Sequence, residues 1–238
     1  MDGITPIAEA SPVVVAFGRA AADDVRRLAR LHDREPTVDL LEELRAQPLQ
    51  DLFGLTLDRP DIAQALALLG EALDALPRPA DTAALPAALD ELAADFAAIH
   101  LTNAYRACPI ESVWVHEEPL RRQEAMFRVK AWHRRFGVVT DDPRDPDHLV
   151  LELHFLADLL ERGLGAEAAD FLDQHPLCWI PAFCGRVAAR CRTPYFAGVA
   201  LLTGGYLDGL RDLLAQGFDR PRPAQAEKAE ARRKEACG

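Results

Sequence analysis

Residues able to do chemistry gather in three stretches. In DPDHLVLE, residues 145–152, Asp145 and Asp147 precede His148, and Glu152 follows. In PIESVW, residues 109–114, Glu111 and Ser112 stand between Pro109 and Trp114. In HPLCWIPAFCGRVAARC, His175 and Cys178 lie three apart, with Cys184 and Cys191 beyond them. An acid beside an imidazole suits general acid–base work or metal ligation. His148 and Glu152 share a helical face at i,i+4, but a metal would need a third ligand, and there is no HExxH. One acid and one histidine without a nucleophile motif fall short of a hydrolytic triad. Local grammar offers a plainer role. Asp145 reads as an N-cap, Pro146 as the first helical residue, and Asp147 as a first-turn acid favoured by the helix dipole by up to ~1 kcal/mol. His148 fits less well, because a protonated imidazole opposes that dipole. The histidine and cysteine spacings match no zinc pattern and read as buried thiols. Trp114, in an irregular stretch, is placed to line a groove.

Helices must position these groups. Ala and Leu dominate and Val-Ile-Thr runs are rare. Val25, Leu28 and Leu31 form one stripe and Leu40, Leu41 and Leu44 another, broken at Glu35-Pro36, with Thr37 capping the second helix. Ile62, Leu66, Leu69 and Leu73 recur at 4-3-4 spacing until Pro77 and Pro79 end the helix, and residues 78–86 read as a loop. Leu89, Leu92, Phe96 and Ile99 predict a helix over 87–107. CPIESVWVHEEP has no helical period and reads as an extended connector. The helix over 120–138 closes on Gly137, a C′ residue. Leu149, Leu153, Leu156 and Leu160, widened by Leu151, Phe155 and Leu159, predict a helix at the centre of a bundle. Two further helices joined near Pro176 to Pro181, and a last one from Tyr195 to Gly217, complete the set. The expected organisation is an N-terminal segment over 1–22, an all-α compact bundle over 23–218 with a hinge near 140–146, and a flexible tail over 219–238.

The chain of 238 residues carries a formal charge of −11. From Asp219 onward six basic residues face four acidic ones, leaving −13 on the body before them. Such a surface repels phosphate backbones and suits a cationic segment, so no nucleic-acid partner is expected. The five cysteines form no CxxC pair, which points to reduced thiols in the cytoplasm. PVVVAFG is too short for a signal peptide, and no run approaches the ~18–20 apolar residues of a membrane span, so no stable membrane insertion is expected. Arg-Arg pairs occur at 26–27, 121–122, 134–135 and 232–233, none ahead of an N-terminal apolar run. There is no Walker A or GxGxxG sequence and no visible repeat. The residues alone leave three functions open: a binding protein, a metal- or nucleotide-dependent hydrolase using Asp147, His148 and Glu152, and a structural adaptor in which Asp147 only caps a helix.

The ordered series of motifs resembles the TorD/DmsD family of redox-enzyme maturation chaperones, with its NarJ-type relatives. RRLARLHDREPTVDLLEELR is similar to its opening helical pair, and CPIESVWVHEEP to its Pro-x-Glu-Ser-aromatic connector. WHRRFGV resembles the end of its next helix, DPDHLVLELHFLADLL its acid–His helix, and FLDQHPLCWIPAFCGRV its Phe-Leu-x-x-His-x-x-x-Trp-x-Pro segment. The series spans roughly residues 25 to 207. Where the family reads Glu-Pro-x-Asp-His, this chain reads Asp145-Pro146-Asp147-His148, one residue shorter, which displaces the acid before proline. The resemblance implies an all-helical protein, monomer or domain-swapped homodimer, with no cofactor of its own and no catalytic or metal-binding residues. It implies binding of the twin-arginine leader and the apo-form of a molybdenum-cofactor oxidoreductase catalytic subunit until cofactor is inserted. On that basis Pro109, Glu111, Ser112, Trp114, Pro146, Asp147, His148, Leu149 and Glu152 are the expected client-binding residues. Asp147 would meet a leader arginine, His148 and Glu111 would tune the site, and Trp114 and Leu149 would receive the apolar run.

Overall fold

The computed structural model describes residues 12–223; the remainder of the expected N-terminal segment and tail lies outside the described residues. Helix α1, Pro12–Asp33, begins with a proline, whose fixed φ suits a first helical turn, and so starts upstream of the expected boundary at residue 23. Residues 34–37 break it, and Thr37 then accepts the Leu40 N–H to cap α2, Val38–Arg45, as the sequence predicts. Helix α3, Pro60–Ala75, and α4, Leu85–Phe96, follow. The chain after α4 widens into a π turn over Ala97–Leu101 and stops there, short of the expected end at 107.

The connector is not extended throughout. Ser112–Val115 makes one helical turn, α5. Helix α6, Glu124–Arg135, ends as expected, with Gly137 at φ 69 just past the cap. Helices α7, Leu149–Glu161, α8, Gly165–Gln174, α9, Pro176–Arg190, and α10, Pro194–Gly217, complete the chain. The break between α8 and α9 falls at His175, and Pro181 lies inside α9.

All elements named among the described residues are helical, in an all-α bundle. Helix α7 sits at its centre, with Leu149, Leu153, Leu156 and Leu159 all fully buried. On one side it packs against α1, where a Cβ added to Gly18 would lie 2.4 Å from the Leu160 carbonyl oxygen, so glycine is what permits the approach. Helix α10 packs on α3 and α9. The core is one contiguous cluster that includes Val25, Leu69, Phe155, Trp179 and Leu207. Among the described residues, no helix is long and apolar enough to cross a membrane.

Candidate functional site

The N-terminal end of α7 is stitched to the connector. Leu149 N–H donates to Pro109 O and Glu111 N–H to Asp147 O, both at 2.9 Å, making an antiparallel bridge between Ile110 and His148. This bridge accounts for the failure of the capping expectation. Asp145 to His148 forms a turn closed by His148 N–H to Asp145 O at 3.0 Å, with Pro146 at its second position. The helix therefore starts only at Leu149, and His148 is its N-cap, Nδ1 accepting the Val150 N–H at 3.2 Å. Asp145 instead receives Arg121 and Arg122, each at 2.9 Å.

Asp147 is fully buried, and its Oδ2 accepts both the Ser112 N–H at 3.0 Å and the Ser112 hydroxyl at 2.5 Å. It thus holds the start of α5 from across the bridge. Glu111 Oε2 lies 2.9 Å from His175 Nδ1, and Glu152 Oε2 accepts the Trp179 indole N–H at 3.0 Å. Glu111, Ser112, Leu149 and Glu152 are likewise fully buried. Burial, then the nearby Glu111 carboxylate, pushes the Glu152 carboxyl well above its usual range. A proton on Glu152 turns two otherwise partnerless oxygens, Glu111 Oε1 and Glu152 Oε1, into donor and acceptor. Burial also raises Asp147, against the opposing effect of the Ser112 bonds. Five of the nine expected client-binding residues are therefore brought together, but beneath the surface. Asp147 and Glu152 have no exposed oxygen to offer a substrate or a client arginine. Among the described residues, no three His, Cys, Asp or Glu side chains are arranged to hold a metal ion.

Beside this cluster opens a cleft of about 580 Å³. Pro109, Ile110 and His148 form one wall, and His32 and His100 stand in another. Leu101 and Leu120 also line it; they are 68% and 56% exposed, large values for such apolar side chains. Trp114 does not line this cleft. Its indole N–H donates to Cys108 O at 2.7 Å, its ring meets Phe183 edge-on, and the Arg186 guanidinium lies 4.4 Å from its centroid. Pro146 is half-buried in its turn.

Three imidazoles in the cleft are kept neutral. Burial, then the neighbouring Arg144 charge, lowers His148 to about 4. Burial, then His148, lowers His32 to about 3, and burial lowers His100 well below its ordinary value. The tautomer of His32 follows from its partner. The Thr203 hydroxyl donates to Val199 O at 2.8 Å, so His32 Nε2, 3.0 Å from that hydroxyl oxygen, must carry the proton. His32 Nδ1 is then a bare acceptor, buried and without a hydrogen-bond partner.

Sequence reasoning did not select His32, His100, Leu101 or Leu120, and it placed His175 and Trp179 in a motif without assigning them to the site. His32 carried a faint signal: it extends the apolar stripe of Leu28 and Leu31, where a polar ring is out of place. Leu101 and Leu120 carried none, since a single exposed leucine is ordinary.

The chain resembles known proteins over much of its length. The family model described as nitrate reductase delta subunit matches residues 57–185. A protein named chaperone protein TorD from Actinobacillus succinogenes is 30% identical over 108 residues, covering 44% of this chain and 56% of that protein. The perchlorate reductase assembly chaperone protein of Dechloromonas aromatica is 26% identical over 132 residues, 48% of this chain and 59% of that one. A second chaperone protein TorD, from Vibrio atlanticus, is 26% identical over 184 residues, 71% of this chain and 82% of that one. In the first two, the match spans little more than half of the relative's length. These names denote chaperones. With more than half of its residues under the family model, the chain belongs to the nitrate reductase delta subunit family, that of the TorD-type maturation chaperones.

Proposed function

We propose that this protein is a cytoplasmic, client-specific chaperone. It binds the twin-arginine leader and the apo-form of a molybdenum-cofactor oxidoreductase catalytic subunit, assists cofactor insertion, and delays export until insertion is complete. The observation that carries the reading is the cleft itself: an open channel rimmed by exposed Leu101 and Leu120, with one wall made by the stitched motif segments. A leader combines an apolar helix-forming run with paired arginines. The leucines offer the run a surface, and exposed Glu117 and Glu118, just ahead of Leu120 in the chain, add negative charge near the rim.

The roles of the expected residues divide accordingly. Pro109 and His148 contact the leader from the wall. Glu111, Ser112, Asp147, Leu149 and Glu152 hold that wall in place, Pro146 shapes the turn behind it, and Trp114 braces the connector on α9. Holding must permit release, so affinity is expected in the micromolar range or somewhat tighter, about −8 to −10 kcal/mol. The test is a pull-down from the native cytoplasm with mass spectrometry, run beside a Leu101→Asp/Leu120→Asp double variant. The expected result is a molybdenum-enzyme catalytic subunit with uncleaved leader on the native chain and its loss on the variant. Equal recovery on both would reject the cleft.

A further inference from the structure

The cleft does not end at Arg144. A second cavity of about 360 Å³ lies on its far side, and Asp33 and Arg144 line both. The partition between the two is thus an ion bridge. Arg144 Nη1 donates to Asp33 Oδ1 at 2.8 Å, while its Nε and Nη2 donate to Asp142 Oδ1 and Oδ2 at 2.9 and 2.5 Å. The two carboxylates grip one guanidinium, Asp33 from the end of α1 and Asp142 from the loop before α7. Each is about a quarter exposed, at 24% and 23%, so water and ligands reach them, unlike Asp147.

We propose that Asp33 and Asp142 are the receptor for a leader arginine, and that Arg144 occupies this receptor as an internal substitute which the incoming guanidinium displaces. This rests on the leader-binding reading above. The site demonstrably fits the chemistry, because a guanidinium already sits in it with three directed bonds. Asp142 is two residues from Arg144, so releasing Arg144 from the partition means breaking a single long-range ion pair, the one to Asp33. The two bonds to Asp142 span only two residues and are given up in the same exchange as the Arg144 side chain turns outward, which frees that carboxylate for the incoming guanidinium. Exchange of one guanidinium for another is nearly even at the carboxylates, leaving the leader's apolar run to decide occupancy. Removing the partition also joins the two cavities into one longer channel. Independent features on each side await a partner. His32 Nδ1, a bare acceptor on the residue next to Asp33, suits an N–H donor, and buried His133 Nε2 in the second cavity likewise has no hydrogen-bond partner. Arg34, 3.2 Å from Asp33 Oδ2, remains to balance Asp33 during the exchange.

The test uses synthetic twin-arginine leaders of the source organism's molybdenum enzymes, each made also with Lys-Lys in place of Arg-Arg. Binding to the full chain is read by fluorescence anisotropy for the native protein, Arg144→Gln, and Asp33→Asn/Asp142→Asn, with the two single Asn variants as a guard against misfolding and circular dichroism as the fold check. The native chain should prefer Arg-Arg over Lys-Lys by about tenfold, since only guanidinium bonds both acids in this geometry. Arg144→Gln should tighten the Arg-Arg peptide by about fivefold or more, by removing its competitor, and gain less for Lys-Lys. The Asn variants should lose the preference. An unchanged Arg144→Gln, an equal gain for both peptides, or a preference that survives the Asn changes would overturn the proposal while leaving leader binding intact. Absence of binding by every leader to every variant would instead overturn the leader-binding reading, and this proposal with it.

Discussion

Two regions at the N-terminal end of α7 differ in a way that separates architecture from recognition. Glu111, Ser112, Asp147, Glu152, His175 and Trp179 carry the sequence motifs, lie buried, and are joined by directed hydrogen bonds. The adjoining cleft borrows one wall from the motif segments, through Pro109, Ile110 and His148, but its solvent-facing rim includes Leu101, Leu120 and Arg144, which the sequence reading did not single out. A buried polar cluster tolerates little change, because each lost partner strands another group away from water. A rim of exposed leucines tolerates much more, since its side chains already meet water. On the proposed function, what reads as the functional signature is the brace behind the binding surface.

Asp147→Ala attacks this contrast hardest. It strands the Ser112 N–H and hydroxyl inside the protein, and should cost about 4 kcal/mol of unfolding free energy in denaturant titrations. Asp147→Asn keeps one acceptor for the Ser112 N–H and should cost less. A silent Asp147→Ala would return this residue to the surface role of a client contact.

Next in size is an effect of acid. His148 is lowered to about 4 in the folded chain against an ordinary 6.5, so the unfolded chain binds the extra proton first as pH falls. Its contribution to stability is therefore present above pH 6.5 and lost on the way down to about 4. His148→Asn retains a good N-cap while removing the titration, and should relieve about 3 kcal/mol of that acid loss. Glu152 carries the opposite sign. Its raised carboxyl favours the folded chain at low pH and loses that advantage as pH climbs above its ordinary value of 4.5. Glu152→Gln mimics the protonated form and still accepts the Trp179 N–H, so at pH 7 it should be neutral or stabilising by up to about 1 kcal/mol. A large loss would mean that an ionised Glu152 is needed.

The helices were legible because leucines at 4-3-4 spacing need no tertiary partner to be recognised, as in α3 and α7. Thr37 and Gly137 were legible because caps act within a few residues. The Asp145-Pro146 cap failed for the converse reason. Its local grammar was sound, but the bridge from Pro109 and Glu111 claims the backbone at 147–149 and delays the helix to Leu149. The helix expected through 107 stops at Leu101, where the π turn ends. The motif segments meet in the fold, yet their burial could not be read from residue type, since acids and histidines usually face water. Arg144 and Asp33 are 111 residues apart and meet only in the fold.

The central claim is that the peptide lies in the cleft and not on the sealed motif. Backbone hydrogen exchange on the full chain, with and without a bound twin-arginine leader, tests it most directly. Protection should rise over residues 96–103 and 119–121, the two segments that bring Leu101 and Leu120 to the rim, while the slow exchange of Glu111, Ser112 and Glu152 stays as it was. Protection confined to the exposed face around Phe127, with no change at Leu101 or Leu120, would contradict the account.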